Sequence, residues 1–294
     1  MLILISDSFD PSMEKKLADF GEVTTDKERL SEADIVLVRS KTKCTKEYID
    51  SAPKLKLIVR GGVGIDNIDK EYAESKGIVV KNTPKSSSIA VAELAFALML
   101  AVPNHIVEGD NSMKRGEWAK KQLKRTELHG KTLCLVGIGG IATEVAKRAK
   151  AFGMDVVSYD KYVSQSPWAR MMPSFQDAVR EADYISLHVP LTPETEGMFN
   201  GELISACQKK PVVINTGRGP TVDAEAMTAA LERGDISFYA ADVYPSDPPA
   251  EDYPILKAPN TLLTPHIGAS SKENLLRIGD EAYEVIKDFL AGGK

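Results

Sequence analysis

Residues 132–160 read TLCLVGIGGIATEVAKRAKAFGMDVVSYD, and this stretch decides the fold. The apolar run Thr132–Val136 is cut by Gly137 and Gly139. Small apolar residues then alternate with Lys and Arg at helical spacing, and a second apolar run closes on Asp160. A buried strand, a tight turn, a helix and a second buried strand in that order form a β-α-β unit with parallel strands. Gly137, Gly139 and Ala142 fill the pattern G-x-G-x-x-A. A turn of this kind lets the backbone approach a pyrophosphate, which then rests on the N–H groups and positive end of the following helix. Asp160 stands roughly twenty residues further on, where the fingerprint expects an acid for the ribose hydroxyls. A carboxylate there repels a 2′-phosphate, so the spacing predicts NAD rather than NADP, with Lys161 beside it acting in the opposite direction.

The same alternation runs outward in both directions. LILIS, DIVLV, LKLIV and GIVV precede this unit, and DYISLHV, PVVINT and ISFYAADV follow it, with helical patterns between them. Continuous apolar runs of this length suit strands buried on both faces, and intervening helices imply crossover connections. The chain therefore reads as α/β, with two doubly wound parallel-sheet domains, the second of Rossmann type. A long helical pattern from about Ser88 to Val107 marks the boundary, and a polar stretch leads from it to the strand at Lys131. The segment from Ser270 to the end has apolar residues at helical spacing and no strand after it, so it is expected to return to the first domain.

Composition narrows the function. A chain of 294 residues with 43% apolar residues can bury two ordinary cores. Net charge is -5 with the basic residues scattered, which leaves no footprint for nucleic acid or an anionic membrane and favours a small soluble substrate. The three cysteines, Cys44, Cys134 and Cys207, show neither a disulfide framework nor metal-ligand spacing, which fits a reducing cytosol and no metal. The opening MLILIS reads as a buried strand rather than a signal peptide, and AVAELAFALMLAV carries Glu93 and is too short for a membrane span.

Three more stretches fall where strands of the second sheet end: INTGRGPTVD with Arg218, AADVYPSDPP with Asp242 and Asp247, and LLTPHIGAS with His266. Ligands of open α/β sheets bind outside the carboxyl ends of the strands. Taken singly, Arg218 reads as a surface cation, Asp247 as a turn former, Asp242 as a cap and His266 as a structural histidine. Together they supply a base for a hydroxyl proton, a carboxylate to hold that base, and a cation for a substrate carboxylate and its developing carbonyl. That is what oxidation of a 2-hydroxy acid requires.

At this point the chain resembles the NAD-dependent D-isomer-specific 2-hydroxyacid dehydrogenases, most closely those that act on 3-phosphoglycerate. The resemblance runs from VRSKTKCT and LIVRGGVGIDNIDKEYAESKGIVVKNTP through AVAELAFALML and ELHGKTLCLVGIGGIATEVAKRAKAFGMDVVSYD to DVYPSDPP and LLTPHIGAS. It implies a catalytic set of Arg218, Asp247 and His266. Cofactor contacts are implied at Gly137, Gly139, Gly140, Ile141, Asp160, Val189, Pro190, Thr195, Thr216, Gly217, Arg218, Asp242, His266 and Gly268. A flavodoxin-like substrate domain over residues 1–97, completed by a helix over 270–294, is expected to bind substrate through Arg39, Ser40, Arg60, Gly62, Val63 and Gly64. Residues 98–269 are then the NAD-binding Rossmann domain, through which a homodimer is expected to form.

The chain departs from the family pattern at several places. Position 247 holds aspartate instead of glutamate, Gly217 and Pro220 interrupt N-T-A-R-G-G, and Gly140 and Ala142 replace arginine and glycine in the phosphate turn. No counterpart of the C-terminal regulatory domain of many such enzymes is expected in these residues. Alternatives are a glyoxylate or hydroxypyruvate reductase of the same mechanism, and an NAD-sensing interaction protein that keeps the fold with weak turnover.

Overall fold

The structure, a computed structural model, describes residues 1–292; the last two residues of the expected C-terminal segment lie outside it. The chain divides into two compact units, Met1–Ala90 together with the segment from Ala269 onward, and Val91–Gly268. This division and the sequence boundary at 97 fall within one helix, Ser88–Ala101.

The first unit holds five parallel strands: β1 (Leu2–Ile5), β2 (Glu22–Thr24), β3 (Ile35–Val38), β4 (Leu57–Arg60) and β5 (Val79–Asn82), in the order β2-β1-β3-β4-β5. Both faces of β1, β3 and β4 are covered, which is why these three read as apolar runs. Ile3, Ile5, Leu37, Leu57 and Val59 pack with Met13 and Leu17 on one face, where the C-terminal helix Lys272–Leu290 adds Ile278, Ala282 and Ile286. Leu4, Val36, Val38 and Ile58 face the other way, against Ile49, Ala52 and Ala73.

The second unit holds seven parallel strands: β6 (Thr132–Val136), β7 (Asp155–Tyr159), β8 (Arg170–Met171), β9 (Tyr184–Leu187), β10 (Val212–Asn215), β11 (Phe238–Ala241) and β12 (Thr261–Leu263). Their order is β12-β11-β10-β9-β6-β7-β8. The direction of winding reverses between β6 and β9, the switch point at which such sheets bind ligands. Leu133 and Leu135 pack towards Ala92, Ala95 and Met99 of the helix Ser88–Ala101, whereas Cys134 and Val136 face Leu203 and Met227.

Two features differ from the sequence reading. The helical pattern expected to run to Val107 stops at Ala101 and resumes as a second helix, Ile106–Lys114, bent by 62°. Pro103 lacks an N–H and disfavours helical geometry at Val102, and His105 adopts φ 50. The edge strands β2 and β8 are three and two residues long and carry exposed positions, so neither presents an apolar run. Among the described residues no single helix is long and apolar enough to cross a membrane.

Candidate active site

One register row places the site of the larger unit. Tyr159, Val136, Leu187, Asn215, Ala241 and Leu263 pair across β7, β6, β9, β10, β11 and β12. The next residue of each strand is Asp160, Gly137, His188, Thr216, Asp242 or Thr264. The ladder continues one step into this row: Gly137 N donates to Tyr159 O at 2.8 Å, His188 N to Val136 O at 2.9 Å, Asp242 N to Asn215 O at 3.0 Å and Thr264 N to Ala241 O at 2.9 Å. The chemistry-bearing loops therefore leave the sheet from one edge.

At the switch point the turn after β6 suits a dinucleotide. Gly137 adopts φ 86, and a Cβ there would lie 2.9 Å from His188 O, so the turn can pass this close to β9 only without a side chain. A Cβ at Gly139, by contrast, would meet nothing within 4 Å. Gly139 caps the helix Gly140–Ala151 without a side-chain hydrogen bond, which leaves the first N–H groups of a long helix open to an anion. Asp160 Oδ2 accepts Ile138 N at 3.0 Å, and its Oδ1 accepts Tyr162 N and Val163 N at 2.8 and 3.1 Å, so the acid is fixed against the turn. Across the switch point, Thr216 is buried and its Oγ1 has no partner among the described residues. A buried hydroxyl in that condition, on this row, fits a polar ligand atom. The loop after His188 is pinned by Thr195, whose Oγ1 donates to Pro190 O at 2.6 Å and accepts from Thr192 N at 2.8 Å. Ile141 and Val189 back these loops by packing on the two cores.

Three further strand ends carry Arg218, Asp242, Asp247 and His266. After β10, buried Asn215 folds the chain over itself: its Oδ1 accepts Gly217 N at 3.0 Å and its Nδ2 donates to Arg218 O at 3.0 Å. Arg218 Nη1 also donates to Gly217 O at 2.7 Å, and the residue remains partly exposed. After β11, Asp242 is 1% exposed and holds the loop after β12. Its Oδ1 accepts Thr264 Oγ1 at 2.6 Å and Ile267 N at 2.9 Å, and its Oδ2 accepts Gly268 N at 2.8 Å. Tyr244 OH donates to Thr264 O at 2.9 Å, and burial pushes its phenol up to about 12. Within this frame His266 takes φ 54, and its Nδ1 meets Asp247 Oδ2 at 2.5 Å. The shorter side chain at 247 thus reaches the imidazole.

In the smaller unit, Arg60 at the end of β4 folds its guanidinium over Gly62. A Cβ at Gly62 would lie 1.6 Å from Arg60 Nη1. Gly62 N donates to the buried Thr83 Oγ1 at 2.7 Å, while Val63 is exposed and Gly64 half-buried, so this turn is held from below and open above. Arg39 is half-buried beside exposed Ser40. Its guanidinium donates to Ser8 O and Ala269 O, both at 3.3 Å, its Nε has no partner among the described residues, and burial holds its pKa below the usual range.

Residues 96–268 match the model of the D-isomer specific 2-hydroxyacid dehydrogenase NAD-binding domain. The chain belongs to this family. It is 42% identical, over 99% of its length, to D-3-phosphoglycerate dehydrogenase of Methanocaldococcus jannaschii, of whose length it covers 57%. It is 43% identical to hydroxypyruvate reductase of Thermotoga maritima, with 87% of this chain and 85% of that protein aligned. Among solved structures, D-lactate dehydrogenase of Aquifex aeolicus with NAD and lactic acid superposes with a TM-score of 0.88 at 31% identity, covering 99% of this chain and 96% of that one.

Sequence reasoning passed over three residues of this family member. Asn215 stood inside a quoted motif, yet its role depends on a loop closing on its own amide. Tyr244 acts on a loop after a different strand. His188 read only as part of a strand. Its Nε2 lies 2.9 Å from Ser186 Oγ, its Nδ1 is buried without a partner among the described residues, and burial depresses the imidazole to about 4.

Proposed function

We propose that this chain oxidises a D-2-hydroxy acid, or reduces the matching 2-oxo acid, with 3-phosphoglycerate as its substrate. The observation that carries the reading is the contact of His266 Nδ1 with Asp247 on the loops after adjacent strands. With Nδ1–H donated to the carboxylate, Nε2 is left to take the hydroxyl proton during oxidation and to return it during reduction. Asp247 offsets the charge that then develops on the ring. Arg218, positioned by Asn215, would bind the substrate carboxylate and polarise the C2 oxygen. Gly137, Gly139, the N–H groups at Gly140 and Ile141, Asp160 and Thr216 would hold NAD, which would supply the hydride acceptor for C2. Arg39 and Arg60 are the cations proposed for a substrate phosphate.

A second reading, reduction of hydroxypyruvate or glyoxylate, is favoured by the 43% identity to a hydroxypyruvate reductase. An NADH-absorbance screen of 3-phosphoglycerate, D-glycerate, D-lactate, glyoxylate and hydroxypyruvate separates the two. Highest kcat/KM with 3-phosphoglycerate supports the first reading, and highest kcat/KM with an unphosphorylated acid replaces it. No turnover with any of them leaves the sensing protein of the same fold.

We further propose a cytosolic homodimer joined through the larger unit, supported by exposed Ile106, Val107 and Met113 on the helix Ile106–Lys114. Light scattering on the eluting protein tests it: a mass of one chain would remove the dimer.

A further inference from the structure

Lys161 follows the ribose acid Asp160 directly, and it is the side chain that makes the cofactor preference of this motif ambiguous. Its ammonium is held by Glu194, with Nζ at 2.7 Å from Oε1 and 2.6 Å from Oε2. Glu194 comes from a distant loop, but both ends of the pair are fixed by backbone. On one side, Asp160 Oδ1 accepts Tyr162 N and Val163 N, which closes the turn that carries Lys161. On the other, Thr195 N and Glu196 N both donate to Thr192 O at 3.0 Å, and Thr195 Oγ1 ties the loop to Pro190 O. Both side chains are more than half exposed, so the pair contributes little to stability and is open to a ligand.

We propose that Glu194 is a cofactor-specificity residue: it captures the Lys161 ammonium and withholds it from a 2′-phosphate, so that discrimination against NADP requires the Glu194–Lys161 pair as well as Asp160. The proposal rests on the reading that Asp160 faces the ribose hydroxyls. A 2′-phosphate would meet two carboxylates and a cation already engaged. With the Glu194 charge removed, the same cation becomes a phosphate partner, and one repulsive charge is lost. The hydroxyls of NAD carry no charge and gain little from either change.

Isothermal titration calorimetry with NADH and NADPH, on wild type, Glu194→Gln, Lys161→Met, the double variant and Asp160→Ser, tests this without relying on turnover. Glu194→Gln is expected to tighten NADPH by roughly three- to tenfold while NADH changes by less than about twofold, and the gain should shrink as salt is raised. In the double variant NADPH affinity should fall back to that of Lys161→Met, because the released cation is gone. Unchanged NADPH affinity in Glu194→Gln overturns the proposal, as does an equal shift for both nucleotides, which would mean that the loop itself moved. If Asp160→Ser alone then improves NADPH binding, the pair was misassigned and the ribose reading stands. If neither variant does, the ribose reading fails with it.

Discussion

Asp242 and Gly268 are joined by a 2.8 Å hydrogen bond from backbone N–H to carboxylate, and a Cβ at 268 would crowd it, lying 3.0 Å from Asp242 Oδ2. The same carboxylate accepts Ile267 N and Thr264 Oγ1, so one buried acid fixes both sides of the histidine. Asp242→Ala would strand two N–H groups and release the loop. Charge-assisted bonds of this kind contribute about 1.5–3 kcal/mol each, with partial recovery from water. The expected loss is about 2–4 kcal/mol in urea denaturation, with a fall in kcat at least as large as that of Asp247→Asn. Unchanged stability would show that the loop holds itself.

His188 gives a pH dependence. Its folded pKa is about 4 against an ordinary 6.5, so the unfolded chain takes up a proton that the folded chain refuses. Stability from this group is complete above pH 6.5 and declines as pH falls towards 4. The linkage is on the order of 3 kcal/mol. His188→Gln should flatten the dependence in that window, seen as a smaller difference between urea midpoints at pH 7 and pH 4.5 than in wild type. An identical difference in both proteins would show that His188 is not the group responsible.

Much of this arrangement is legible in the sequence. The runs around Thr132–Tyr159 and the stretches holding Arg218, Asp242, Asp247 and His266 announce themselves because each strand is buried on both faces and each loop follows a strand end. The order along the chain is then close to the order in space. Beyond the expected pairing of Asp247 with His266, relationships between loops were not legible. Asp242 and Gly268 are on different strands' loops, Glu194 reaches Lys161 across the switch point, and the orphaned Nδ1 of His188 depends on what the fold packs around it. The bend at Pro103 was missed because apolar spacing continues through Val107, although the proline itself was the available signal. Short edge strands such as Arg170–Met171 leave no periodic trace.

Arg39 and Arg60 are predicted to separate phosphate from carboxylate recognition. Arg39 is the cleaner case, since among the described residues its guanidinium hydrogen-bonds to the carbonyl oxygens of Ser8 and Ala269. A phosphate would add a charge-assisted partner. Arg39→Ala and Arg60→Ala should each raise KM for 3-phosphoglycerate by about tenfold or more, and for D-glycerate by much less, given about 1.5–3 kcal/mol for a charged hydrogen bond. Equal increases for both acids would assign these residues to the carboxylate or to the fold.

Asp247 is one of the positions where the resemblance implies a departure from the family pattern, and there the geometry allows a direct comparison. The Oδ2 to Nδ1 distance of 2.5 Å shows that the aspartate reaches without help from an extra methylene. Asp242 and Tyr244 anchor the loop on the histidine's side, so the contact is set by the frame and not by a flexible side chain. Asp247→Asn preserves the shape, but it removes the charge that opposes the one forming on the ring, and its NH2 group can turn towards Nδ1 and favour the unproductive tautomer. The expected fall in kcat is about 10²-fold or more, within the range lost with acid/base groups, while KM for NADH stays near its wild-type value. Asp247→Glu should retain most activity, because the loop after β11 is exposed from Pro245 to Pro248 and can retreat to seat the longer side chain. Steady-state kcat and KM for both variants, measured beside His266→Ala, decide the matter. If Asp247→Asn matches wild type while His266→Ala abolishes turnover, Asp247 only shapes the turn and another group orients the imidazole.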